Sequence, residues 1–149
     1  MRRVLLAGAL AVLVIVPAAA GDAVYHAQHV ALTPVAAGEV GSGFVENIHA
    51  NGPTVYAHEQ YVLRRGMPGT TYTVVIHLSD PSDTTCSSPF LVLPTASLTT
   101  NVAGNGSAYH VFIPADAGPL RGATWLAYWT LETPAGVAYT TSCETIVLD

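Results

Sequence analysis

The chain has 149 residues, of which 50% are hydrophobic and only 10% charged, with ten Asp and Glu against five Lys and Arg for a formal charge of −5. All five cations are arginines: Arg2 and Arg3 stand at the start, and only Arg64, Arg65 and Arg121 follow. Phosphate backbones and anionic bilayers are held by clustered Lys and Arg, so nucleic acid and anionic membranes are not expected partners.

Arg2 and Arg3 form a short positive region, and "VLLAGALAVLVIV" (4–16) is an apolar run of thirteen residues. "PAAA" follows, with Ala18 and Ala20 in an A-x-A arrangement. This pattern predicts a secretory signal peptide over 1–20. The run is too short to span a bilayer, which takes ~20 residues, so no membrane insertion is expected after cleavage. Cleavage after Ala20 leaves 21–149 as one domain of about 129 residues. Cleavage after Ala23 is the alternative. It would expose Val24-Tyr25-His26, whose amine, backbone amides and third-position imidazole could wrap Cu(II) or Ni(II). The last residues, "SCETIVLD", carry no hydrophobic tail, and a secreted or envelope-associated, extracytoplasmic protein is expected.

Beyond the leader, "AQHVAL" contains His29 three residues after His26. Ligands on one strand come at i and i+2, so this spacing does not place both imidazoles on one face. "TPVAAGEVGSG" (33–43) is an irregular connection. "GFVENIH" and "TVYAHEQYVL" then alternate, and "TYTVVIHL" is the cleanest case: Tyr72, Val74, Ile76 and Leu78 fall on one face at period two. "FLVLP", "ASLTT", "SAYHVFI", "ATWLAYWTL" and "VAYTTSCETIVL" complete the set, rich in β-branched and aromatic residues. Turn signals separate them at "NGP", "RGMPG", "SDPSD", "AGNG", "PADAG" and "TPAG". Turns spaced by about ten residues point to an all-β sandwich or barrel. "PADAGPLRG" has room for one short helical turn.

Cys86 and Cys143 are the only cysteines. An even count in an exported chain predicts a disulfide between them. Cys86 sits in the turn-rich "SDTTCSSPF", so the bridge would pin a loop to the last strand.

The stretch "SLTTNVAGNGSAYHVF" (97–112) resembles the strand–turn–strand hairpin of small secreted bacterial immunoglobulin-like sandwich proteins. There a Thr-rich strand enters "T-N-x-x-G-x-G-x-A" and an alternating strand ends in an aromatic. The resemblance implies a single antiparallel immunoglobulin-like β-sandwich and no particular activity. It also makes "NGS" at Asn105 a turn rather than a glycosylation site.

Candidate sites are few. Six histidines, at 26, 29, 49, 58, 77 and 110, show no H-x-H spacing and no ligand set. No metal and no cofactor are expected. Trp125 and Trp129 lie four apart, on one face of a strand, about 13 Å from each other. Facing out they would make a carbohydrate platform; facing in, with Ala127 between them, they would be core, and core is the expectation. His58 and Glu59 fall on opposite faces and make no dyad. "DPSD" (Asp80, Asp83) reads as a turn rather than a calcium loop. No nucleophile elbow or phosphate loop occurs. The reading is an exported β-sandwich with a non-enzymatic binding or structural envelope role, its ligand an unidentified protein or carbohydrate. The rival is a small metal-handling protein or hydrolase that uses surface His and carboxylates. His26, His29, Trp125 and Trp129 are the residues a binding role would recruit.

Overall fold

A computed structural model describes residues 26–49 and 57–148. The leader, both cleavage positions, the copper-binding variant at Val24-Tyr25-His26 and residues 54–56 of the "TVYAHEQYVL" run therefore lie outside the described residues or depend on ones that do. The described residues form nine strands: β1 (His26–Pro34), β2 (Ser42–His49), β3 (Ala57–Arg64), β4 (Thr71–Ser79), β5 (Leu91–Thr99), β6 (Gly106–Phe112), β7 (Ala123–Thr133), β8 (Gly136–Thr140) and β9 (Glu144–Leu148). A four-residue helix, α1 (Pro114–Ala117), and a 3-10 turn (Gly118–Leu120) link β6 to β7, where the proline-led sequence has room for one turn.

All strand pairs are antiparallel, in the order β5-β4-β7-β8-β1-β2-β3-β6, with β9 beside β7. β8 pairs with the second half of β7 and β9 with the first half. β5 and β6 stand at the two ends of this order, yet a tight turn, with Asn101 N–H to Asn105 C=O at 2.9 Å, joins them directly. The sheet therefore curls until its ends meet, nearly closed as a barrel, with a seam between β5 and β6 where no ladder forms among the described residues. The stretch 97–112 that carries the immunoglobulin-like resemblance is the tip of this seam.

Alternation decides what lies inside. On β4, Tyr72, Val74, Ile76 and Leu78 are buried in the core with Tyr61 and Leu63 of β3 and Trp129 and Leu131 of β7. Two strand boundaries differ from the expectation. "FLVLP" and "ASLTT" form one strand, because the β4–β5 register shifts between Val74 and Val75: Val74 pairs with Ala96 and Val75 with Pro94, leaving Thr95 as the extra residue. A bulge tolerates the missing N–H of Pro94 within a strand. Conversely, "VAYTTSCETIVL" breaks at Thr141–Cys143 into β8 and β9. Thr141 Oγ1 there accepts from Trp129 N–H at 3.0 Å.

Cys86 and Cys143 are joined in a disulfide with Cα atoms 5.8 Å apart. It ties the 80–90 loop to the start of β9. Asp80 and Asp83 organise that loop locally. Asp80 Oδ1 accepts from Ser82 N–H, and Asp83 accepts from Thr85 and Ser88 N–H. At one end of the barrel Glu39 accepts hydrogen bonds from the hydroxyls of Tyr72, at 2.9 Å, and Tyr139, fastening the 35–41 connection across the core.

Candidate functional site

Along β3, the side chains at Ala57, Glu59, Tyr61 and Leu63 face inward and are buried. Strand geometry thus carries a carboxyl group into the core, with only 1% of Glu59 exposed. A buried carboxyl needs hydrogen-bond partners, and two donors supply them. The Tyr61 hydroxyl donates to Oε2 at 2.5 Å, and the Trp129 indole N–H, from β7, donates to the same oxygen at 3.0 Å. The Tyr61 hydroxyl also lies 2.8 Å from Oγ1 of Thr95, the bulge residue of β5. The network links β3, β7 and β5, and so spans both sides of the seam.

Burial pushes the Glu59 carboxyl up to about 7, against the lowering effect of the Tyr61 and Trp129 hydrogen bonds. A large fraction of Glu59 is therefore uncharged at neutral pH. Burial, the Glu59 charge and the hydrogen bond to it together hold Tyr61 in its phenol form.

Asn47 of β2 is the direct cross-strand neighbour of Glu59 and is 0% exposed. Among the described residues neither its Oδ1 nor its Nδ2 has a hydrogen-bond partner. Native structures leave few buried polar groups unsatisfied, and each such group costs about 1–3 kcal/mol. Both residues line a hollow whose other walls are apolar: Ile76 and Leu78 from β4, Leu91 and Leu93 from β5, Phe112 from β6, Leu120, and Ile146 from β9. Asp116 of α1 stands at its rim, 3.9 Å from His110 Nε2. The hollow is narrow. Its volume of about 20 Å³ is room for about one water molecule. Leu91, Leu93 and Leu120 are only half-buried, so the wall towards solvent is the apolar lip of the β5–β6 seam.

A second polar cluster lies on the outer face. His77 Nε2 is 3.0 Å from Thr130 Oγ1, which donates to Glu132 at 2.8 Å, and the imidazole stacks on Tyr128 at 4.3 Å. Burial lowers the His77 pKa, more than Glu132 raises it. Among the described residues His77 Nδ1 and the Oγ of Ser79 are buried without partners.

The residues singled out from sequence whose side chains are described do not converge. His29 is exposed and stacks on Phe44 at 4.2 Å, and the side chain of His26 lies outside the described residues. Among the described residues no three His, Cys, Asp or Glu side chains gather where one ion could sit. Trp129 is fully buried and bound to Glu59. Trp125 packs against the core and Phe90, and its N–H donates to Leu120 C=O at 2.9 Å. The His58–Glu59 pair splits between faces as alternation requires. Sequence reasoning passed over Asn47 and weighed Glu59 only as a partner for His58, although Glu59 stands at an inward position between apolar residues, as in Ala57-x-Glu59-x-Tyr61-x-Leu63.

Fold and site together define an antiparallel β-barrel with one open seam and a polar pair at the back of an apolar interior hollow. Comparison with protein-family models, with curated proteins and with solved structures finds no match to this chain.

Proposed function

We propose that the protein is an extracytoplasmic, non-enzymatic binding protein that takes a small ligand into the hollow beside Asn47 and Glu59. The observation that carries this reading is Asn47: a fully buried carboxamide with no partner among the described residues for either polar atom, set in an apolar recess. Ligand sites have this composition, with mostly apolar walls and a few convergent polar groups. A disulfide suits an oxidising compartment, and the "VLLAGALAVLVIV" leader with its A-x-A motif supports export. Among the described residues no helix is long and apolar enough to cross a membrane. The immunoglobulin-like kinship of the 97–112 hairpin belongs to the same proposal.

The test is a thermal-shift screen of small amphiphiles against protein recovered from culture supernatant, with its N-terminus read by mass spectrometry. A saturable rise in Tm for at least one chemical class, on a chain starting at Gly21, is expected. A chain that stays in the cytoplasm overturns the export reading. A Tm that no class moves overturns the binding reading.

A further inference from the structure

Resting on that reading, we infer that the hollow selects a small aliphatic molecule with a neutral head carrying a hydrogen-bond donor and acceptor side by side, the primary carboxamide being the simplest. The chemistry follows from what is left unpaired. Asn47 offers one acceptor, Oδ1, and two donors on Nδ2, and none is used among the described residues. A carboxamide head laid against it satisfies Oδ1 and Nδ2 together through a paired N–H···O contact. An ammonium could answer only Oδ1, and an alcohol reaches only one edge of the amide at a time. Glu59 adds a second polar wall. Both its protein donors fall on Oε2, and Oε1 takes neither.

Charge argues the same way. The charged or titratable side chains that line the hollow are Glu59 and, at the rim, Asp116, with His110 behind it. Among the described residues no Lys or Arg lines it, so an anionic head would meet carboxyl groups and no cation there. An ammonium would have to leave water and would be repaid only by an ionised Glu59, which burial opposes. A neutral head avoids both costs. The aliphatic body would lie outward along Leu91, Leu93 and Leu120, the half-buried lip of the seam. The hollow as it stands has room for about one water molecule, so the head can be no larger than a primary carboxamide and the half-buried leucine lip must part to admit it.

Asn47 also makes the proposal separable from a structural role. Replacing an unpaired buried amide by an apolar group of similar shape removes a desolvation cost. Asn47→Leu should therefore melt at the same temperature as the wild type or higher, yet bind poorly. The experiment is calorimetric titration of the wild type, Asn47→Leu and Asn47→Asp with hexanamide, 1-hexanol, hexylamine and sodium hexanoate at one pH near neutrality. Hexanamide is expected to bind at least tenfold more tightly than the other three, and Asn47→Leu should remove that preference while keeping its Tm. Hexylamine or hexanol binding as well as hexanamide would overturn the ligand class and leave the binding reading standing. If none of the four binds while another amphiphile raises the Tm, the ligand class likewise falls alone. Silence from every probe, in titration and in the thermal-shift screen, sinks both. A lowered Tm for both variants would make Asn47 a structural residue and overturn the proposal.

Discussion

Glu59 sets the chemistry at the residue scale. Its carboxyl is raised to about 7 by burial, whereas in the unfolded chain it titrates near 4.5. Between these values the folded protein holds a proton that the unfolded chain has released, so the stability owed to this group falls as pH rises through the window and is flat above it. A shift of this size corresponds to roughly 3 kcal/mol. His77 acts in the opposite sense: its lowered pKa favours the neutral ring in the fold, and stability is lost as pH falls below 6.5. The two effects separate by difference. The wild type minus Glu59→Gln difference in unfolding free energy should move against the wild type by roughly 3 kcal/mol between pH 4 and pH 8, measured by urea denaturation. A constant difference would mean that Glu59 does not titrate in this range. Tyr61→Phe deletes one of the two donors to Glu59 and the contact with Thr95. It should cost about 1–3 kcal/mol, far more than the loss of an exposed hydroxyl. Neither role was visible in sequence, because Glu is almost never fully buried unless paired, and although Tyr61 stands two residues on, the second donor, Trp129, comes from a distant strand.

The strands and turns that hold this network were largely legible. Alternation found the inward face of β4 and the opposite facing of His58 and Glu59, because the side-chain period of a strand is a local property. What alternation cannot see is which strands become neighbours. Thr95 is a bulge only because Val74 and Val75 lie opposite it, and the run from 137 to 148 breaks because Thr141 turns its hydroxyl to the backbone of β7. The candidate site shares this blindness, since its walls come from β2 to β6, β9 and the 3-10 turn. The turn at the foot of the seam offers a test of an element. Gly104 has φ +74, and a Cβ there would meet Gly66 O at 2.1 Å, whereas Gly69 has φ +63 and open space. Alanine at Gly69 should cost about 1–2 kcal/mol of left-handed strain. Alanine at Gly104 should cost clearly more, because backbone must also move. Chemical denaturation of the two variants checks the order, and equal losses would mean that the 104–66 contact contributes nothing.

For the whole molecule, closure is the organising fact. A sheet that begins and ends on strands adjacent in sequence can curl on itself, and turn spacing left sandwich and barrel equally open. The Glu59–Tyr61–Thr95 chain resists its opening across the seam, while the Cys86–Cys143 disulfide fastens the 80–90 loop to β9 on the β5 side of it. The disulfide joins residues 57 apart, and a loop of that length is worth ~4 kcal/mol in the chain-entropy model. Reduction should lower the Tm by roughly 10 °C or more, read by differential scanning calorimetry with and without reductant. An unchanged Tm would show that the unfolded chain gains nothing from release of the loop.

The central claim, that the hollow beside Asn47 and Glu59 takes a ligand, is tested most directly by nitrogen-15 NMR of the two indole groups. Trp129 N–H is bonded to Glu59 at the back of the hollow, and Trp125 N–H is bonded to Leu120 C=O at its outer edge. On titration with hexanamide or any amphiphile that raises the Tm, the Trp129 indole resonance should shift saturably, and Asn47→Leu should abolish the shift. A titration that raises the Tm yet leaves Trp129 unmoved, or moves Trp125 alone, would place the ligand elsewhere and contradict the account.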